Sequence, residues 1–134
     1  MFDNLVTHRG GCHCGKVRFE VDTEPSIDAI LCNCSICALT AHLHLHVLKK
    51  NFRLLTDWDQ ISTYSFNTGV ARHYFCKSCG IKSFYIPRSN PHGYSVNVRC
   101  LQPDTIEGLR VTEFDGQNWE ENVHKINKLP EEDA

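Results

Sequence analysis

Seven of the eight cysteines in this 134-residue chain fall into three tight clusters, and that grouping constrains the fold more than any other feature. The clusters are Cys12-His13-Cys14-Gly15, Cys32-Asn33-Cys34-Ser35-Ile36-Cys37 and Cys76-Lys77-Ser78-Cys79-Gly80. Cysteines one or two residues apart sit too close to link distant loops as disulfides. In a reducing compartment such pairs read as metal or redox motifs. The redox reading needs a βαβ setting, which the pattern of this chain lacks. An iron–sulfur cluster can use three or four cysteines, but two separate small sites fit the grouping better, and this favours zinc. Two pairs close a tetrahedral site, whereas three thiolates alone leave one coordination position vacant.

Composition is that of a single compact domain long enough to bury a core. Apolar stretches run only a few residues, so no membrane span is expected. Residues 1–6 show neither a basic region nor an apolar core of the secretory kind, which points to an intracellular, cytoplasmic setting, with the nucleus as the alternative. Formal charge is −2. Seven bound thiolates and two divalent ions lower it by three, to about −5. That balance argues against a general nucleic-acid binder, which presents a basic face. It also lacks the basic amphipathic helix of a membrane-surface protein. The sequence sets no oligomeric state.

Hydrophobic period reads mostly as strands. Residues 16–21 alternate, with Val17, Phe19 and Val21 on one face. Residues 27–31 run apolar into the three-cysteine cluster, and 42–47 alternate with His42, His44 and His46 on one face. Further strands are expected at 53–56, at 60–67 ending in the turn Asn67-Thr68-Gly69, and at 94–98 and 110–114. Residues 71–75 lead into the Cys76 cluster and 81–86 lead out, a hairpin with a metal knuckle at its tip. Residues 87–93 carry loop chemistry. Only 118–126 reads as helix, with Trp119, Val123 and Ile126 at helical spacing. The expectation is one mainly antiparallel β domain over 8–127, one short C-terminal helix, and an acidic tail at 128–134.

Glycine placement pairs the clusters. A zinc knuckle turns backbone N–H groups toward its sulfurs, and the residue after the second cysteine often needs positive φ, which glycine adopts freely. Gly15 and Gly80 occupy that position; the middle cluster has Ala38 there. Cys12, Cys14, Cys76 and Cys79 are therefore expected to form one closed structural site. It would clamp the chain's start to a hairpin about sixty residues later, closing a long loop. Cys32, Cys34 and Cys37 can share one ion without long-range constraint. Its fourth ligand can be Cys100, one of His42, His44 or His46, or an open position, as catalytic zinc requires. Three thiolates leave the ion with net charge −1. It is then a weak generator of hydroxide and better suited to holding a soft thiol as thiolate. The implied chemistry is at sulfur, such as adding a thiol to an aldehyde or reversing that addition. Asp57 and Asp59 read as loop charge, and no HExxH, Gly-x-Ser-x-Gly or P-loop pattern offers a competing site.

The run from Gly11 through Phe19, the three-cysteine cluster, and Phe75-Cys76-Lys77-Ser78-Cys79-Gly80 together resemble the glutathione-dependent formaldehyde-activating enzyme family. Ser83-Phe84-Tyr85-Ile86-Pro87-Arg88-Ser89-Asn90-Pro91 and Phe114-Asp115-Gly116-Gln117-Asn118-Trp119-Glu120 look more like its centromere protein V branch. The likeness spans about Gly10 to Glu121. It implies an Mss4-like fold of antiparallel sheets around a structural zinc, and a second, catalytic zinc on Cys32, Cys34 and Cys37. It further implies a carbon–sulfur lyase activity that forms S-hydroxymethylglutathione, with glutathione or a similar small thiol as partner. Some relatives carry a basic residue after the third cysteine, where this chain has Ala38-Leu39-Thr40. Arg72, Arg88 and Arg99 are then the candidates to receive the carboxylates of such a thiol. The reading from a different class is a non-catalytic zinc module that binds a protein or nucleic-acid partner, which a closed fourth position would favour.

Overall fold

The computed structural model describes residues 5–66, 69–118 and 120. The helix expected at 118–126 and the acidic tail at 128–134 lie outside the described residues, save Asn118 and Glu120. Of the turn expected at 67–69 only Gly69 is described; its φ is +74°, and its N–H donates to the Phe66 carbonyl at 3.0 Å.

Among the described residues ten strands form two sheets. β1 (Val6–Gly11), β2 (Arg18–Thr23) and β5 (Phe52–Leu54) make a three-stranded antiparallel sheet in the order β1-β2-β5. The second sheet has the order β10-β3-β4-β9-β8-β7-β6. Its strands are β3 (Ser26–Cys32), β4 (Leu43–Leu48), β6 (Ile61–Tyr64), β7 (Arg72–Cys76), β8 (Phe84–Ile86), β9 (Gly93–Asn97) and β10 (Gly108–Phe114). The class is mainly β, as expected. One pair departs from the antiparallel expectation: β10 runs parallel to β3, matching Phe114 to Cys32 at the far end. Because parallel neighbours end on the same side, the chain leaving β10 passes over the three-cysteine cluster that follows β3.

The core lies between the sheets. Val17, Phe19 and Val21 are buried on one face, as their alternation implies. Phe19 stacks on Phe52 at 5.2 Å between centroids, and Phe84 meets Phe52 at 4.7 Å and Phe19 at 5.7 Å. Three large rings from both sheets thus interlock, each burying well over a hundred Å² by order of magnitude. β1 escapes the hydrophobic pattern because its inward positions are His8 and Gly10 rather than apolar residues. His8 is fully buried but satisfied by Thr105 Oγ1 at 2.7 Å and the Glu24 carbonyl at 3.0 Å. A Cβ on Gly10 would strike the Cys100 carbonyl and the Phe19 ring, both at 2.8 Å.

Among the described residues one α-helix can be followed end to end, in a stretch not expected to be helical; Glu120, inside the expected C-terminal helix, is itself helical. α1 (Ser35–Thr40) carries the end of the three-cysteine cluster. Six residues are too few for a hydrophobic period to register, so the segment read only as a ligand cluster. The Ala38 N–H donates to the Cys34 carbonyl at 2.9 Å, which places Cys37 inside the turn. No helix among these residues is long and apolar enough to cross a membrane.

Candidate metal centre

Two groups of sulfurs converge. Cys12 and Cys14 sit on the connection between β1 and β2; Cys76 ends β7 and Cys79 sits on the connection between β7 and β8. Their four Sγ atoms all lie within 4.8 Å of one another, with Cys12–Cys14 and Cys14–Cys76 both at 3.6 Å. A tetrahedral zinc with ~2.3 Å bonds needs sulfurs about 3.8 Å apart, so the four fit such an ion. The glycine expectation holds locally, with φ +87° at Gly15 and +76° at Gly80. Backbone donors face the sulfurs: Val17 N–H reaches Cys12 Sγ at 3.3 Å, and Ser78 N–H reaches Cys76 Sγ at 3.3 Å. Desolvation opposes ionisation of Cys79, but backbone N–H groups of Cys14 and Ile81 outweigh it and hold the thiol at about 6. Cys76 and Cys79 are thus biased toward thiolate while Cys14 is pushed up to about 11, and the group ties the two sheets together.

Cys32 ends β3, Cys34 caps α1 and Cys37 lies in its first turn; their sulfurs also lie mutually within 4.8 Å. Among the described residues no fourth donor joins this second group. Cys100, one of the expected fourth ligands, stands by the first cluster instead: burial, then the neighbouring Cys12 and Cys79, push its thiol up to about 11. Hydrogen bonding from the Cys32 and Cys37 thiols drives Cys34 well down. Cys32 and Cys37 are pushed up in return, Cys32 chiefly by its bond to Cys34 and Cys37 by its bond to Cys32. Three sulfurs sharing protons in this way are ready to exchange them for a soft cation.

The three sulfurs line a cleft of about 440 Å³. His44, His46, His73 and Tyr85 form one wall, and Phe66 and Phe114 supply apolar surface. Tyr85 Oη lies 3.2 Å from His44 Nδ1 and also bonds Cys37. His42 is fully buried and does not line the cleft; its Nε2 lies 3.2 Å from Ser95 Oγ. Of the expected arginines, only Arg88 reaches the cleft, 2.8 Å from Glu120; Arg72 and Arg99 are exposed elsewhere. Lys82 is 6 % exposed; its Nζ has no hydrogen-bond partner among the described residues and sits 3.9 Å from the Tyr85 ring centre. Burial lowers it to about 8, with Cys37, Cys34 and Cys32 pulling the other way. A buried cation beside three thiolates offsets charge that would otherwise be costly to desolvate.

Tyr85, His73, Lys82 and Gly116 were not singled out as site residues by sequence reasoning. Tyr85 and Gly116 stand within the two segments that carry the centromere protein V resemblance, which was the available signal. His73 lay in a strand read only for its path into the Cys76 knuckle, and Lys82 in the one read only for its path out.

Burial holds the histidines neutral: His44 drops to about 3, His46 and His73 to about 4, and His42 falls well below its ordinary value. The unfolded chain titrates near 6.5, so below that pH it binds protons the folded protein refuses. Stability is then complete above about pH 6.5 and is lost as pH falls toward about 4. Metal release from protonated thiolates acts in the same direction. Denaturant midpoints should fall steadily on acidification through this window, and a flat profile would contradict neutral buried rings.

The family model for the glutathione-dependent formaldehyde-activating enzyme matches residues 7–114. The chain belongs to this family. A crystal structure of a Rhodobacter sphaeroides protein is similar at 32% identity, covering 78% of this chain and 99% of that one with a TM-score of 0.64. The family match takes in all seven clustered cysteines and both sheets. It ends at Phe114, just before the turn that passes over Cys32.

Proposed function

We propose that this family member holds two zinc ions, one structural on Cys12, Cys14, Cys76 and Cys79 and one catalytic on Cys32, Cys34 and Cys37. We assign it carbon–sulfur lyase-type chemistry on thiol–aldehyde adducts such as S-hydroxymethylglutathione. The observation that carries the reading is the three-sulfur group, with no fourth donor among the described residues, opening into a cleft sized for a small molecule. The zinc there, when bound, supplies a soft acceptor position that favours a thiol as its nucleophilic thiolate.

The chain's own residues do the rest. Cys32, Cys34 and Cys37 present the charge, and Lys82 offsets part of it from behind Tyr85. Phe66 and Phe114 keep water from the cleft walls. Arg88 is the residue placed to exchange its exposed partner Glu120 for a substrate carboxylate. The segments resembling the centromere protein V branch contribute Pro87, Arg88 and Ser89 on one side and Phe114, Gly116 and Gln117 on the other. This favours that branch as the chain's place within the family. The chemistry suits a reducing, cytoplasmic compartment, where thiolates persist.

The test is calorimetry on metal-loaded protein. Fresh reduced protein should carry close to two zinc equivalents and bind glutathione with release of about one proton, as the thiol becomes thiolate. S-methylglutathione should bind at least about tenfold more weakly, since a thioether is a neutral and poor ligand. Formaldehyde should then form adduct faster than with free thiol alone. Fully loaded protein that ignores glutathione would defeat the reading and return the site to a zinc-binding module for a macromolecular partner.

A further inference from the structure

The cleft holds buried nitrogens that the fold itself does not satisfy. Among the described residues His44 Nε2 and both ring nitrogens of His73 have no hydrogen-bond partner, although the two residues are only 4 % and 3 % exposed. Buried polar atoms without partners are uncommon in folded proteins and call for a ligand, water or ion. Both residues line the same cleft as Cys32, Cys34 and Cys37. Neither nitrogen set belongs to the three-sulfur group.

The hydrogen-bond network fixes which atom His44 offers. Its Nδ1 has two hydroxyl neighbours, Ser95 Oγ at 2.9 Å and Tyr85 Oη at 3.2 Å. Ser95 can accept from His42 Nε2–H at 3.2 Å and donate its own proton to His44. In the tautomer in which Nδ1 accepts from these hydroxyls, the ring proton sits on Nε2 and His44 presents a donor to the cleft. His73 is held differently. It stacks on Tyr85 at 4.7 Å between centroids and 14°, and on Phe66 at 5.6 Å and 21°. Ring faces fix its position, which leaves one donor and one acceptor on its edge.

We propose that His44 and His73 form an oxygen-binding subsite in this cleft, which takes the carbonyl oxygen of a small aldehyde or the hydroxyl of its thiol adduct. The inference rests on the reading of the three-sulfur group as a thiol site and supplies the second half of the substrate. During addition the thiolate lone pair forms the carbon–sulfur bond, and the C=O π pair moves onto oxygen. His44 Nε2–H and the His73 donor hydrogen-bond that oxygen as its charge develops, and pre-placed donors of this kind stabilise the transition state. The proton lost by the thiol ends on the same oxygen, giving the hydroxymethyl thioether. The lyase direction breaks the same bonds in reverse. In the adduct the new hydroxyl can accept from His44 Nε2–H and donate to the unprotonated ring nitrogen of His73.

His73→Phe keeps both stacking contacts and deletes both nitrogens. The probes are 2-mercaptoethanol and 1-propanethiol, of equal length and differing by a terminal hydroxyl against a methyl, titrated calorimetrically into zinc-loaded full-length protein. The variant should bind 2-mercaptoethanol about fivefold more weakly, as loss of a neutral hydrogen bond implies, with 1-propanethiol unchanged. Equal weakening of both probes, or of neither, would overturn the subsite while leaving the thiol site in place. Wild type that binds neither probe would remove the thiol site and the subsite with it. Histidine ring ¹⁵N spectra of wild type give a second measurement that needs no variant. The His44 and His73 signals should move with 2-mercaptoethanol more than with 1-propanethiol, and identical responses would also overturn the proposal.

Discussion

Cys76→Ser is expected to leave a chain that does not fold stably at room temperature. Cys76 is 1 % exposed, its sulfur is 3.6 Å from Cys14, and it accepts backbone N–H groups from Ser78 and Cys79 at 3.3 and 3.5 Å. The four-sulfur group joins the β1–β2 hairpin of one sheet to the β7–β8 hairpin of the other, across 62 residues. A structural zinc of this kind contributes about 10–16 kcal/mol in small folds, against a typical net stability of about 5–15 kcal/mol. Even partial loss therefore exceeds what the aromatic core can absorb. Cys34→Ser should be far milder, because its partners Cys32 and Cys37 lie in the same local stretch and crosslink nothing remote. Far-UV circular dichroism and urea titration of both variants compare them directly. Equal unfolding in the two, or a Cys76→Ser midpoint matching wild type, would mean that the division of labour between the clusters is wrong.

The residues that made the clusters legible in sequence were those whose chemistry demands a local spacing. Gly15 and Gly80 announced two knuckles because positive φ is a local requirement, and their pairing could be reasoned without knowing the sheet order. Val17, Phe19 and Val21 announced β2 because one face of the strand is dry. What stayed hidden depended on contacts across the chain. β1 turns a histidine and a glycine inward, and only Thr105 and the Glu24 carbonyl explain why His8 can be buried there. The parallel pairing of β10 with β3 joins segments some eighty residues apart and leaves no mark in either strand's period. The histidines of 42–47 were correctly seen as alternating. Their roles then divided, His42 into a buried relay with Ser95 and His44 and His46 onto the cleft wall.

Gly116→Ala is expected to empty the three-sulfur site while sparing the fold. Gly116 lies two residues past the end of β10, and because β10 ends beside β3 the turn rests on the cluster. A Cβ at this position would overlap Cys32 Sγ far inside van der Waals contact and meet Cys34 Cβ at 2.8 Å. The turn cannot retreat freely. Asn33 donates to Asp115 Oδ1 at 3.2 Å and accepts the Gln117 N–H at 3.0 Å, and Asn118 donates to Asp115 Oδ2 at 2.8 Å. Cys32 must therefore yield, and a ligand turned out of position weakens metal binding by about a hundredfold, at the upper end of what misplaced support around a metal costs. Metal analysis after dialysis should find close to one zinc equivalent in place of two, and glutathione binding should fall in step. The melting temperature should change little, since the four-sulfur site that joins the sheets lies elsewhere. Two retained equivalents with wild-type thiol affinity would mean that Cys32 has room to move, and that this turn does not set the geometry of the site.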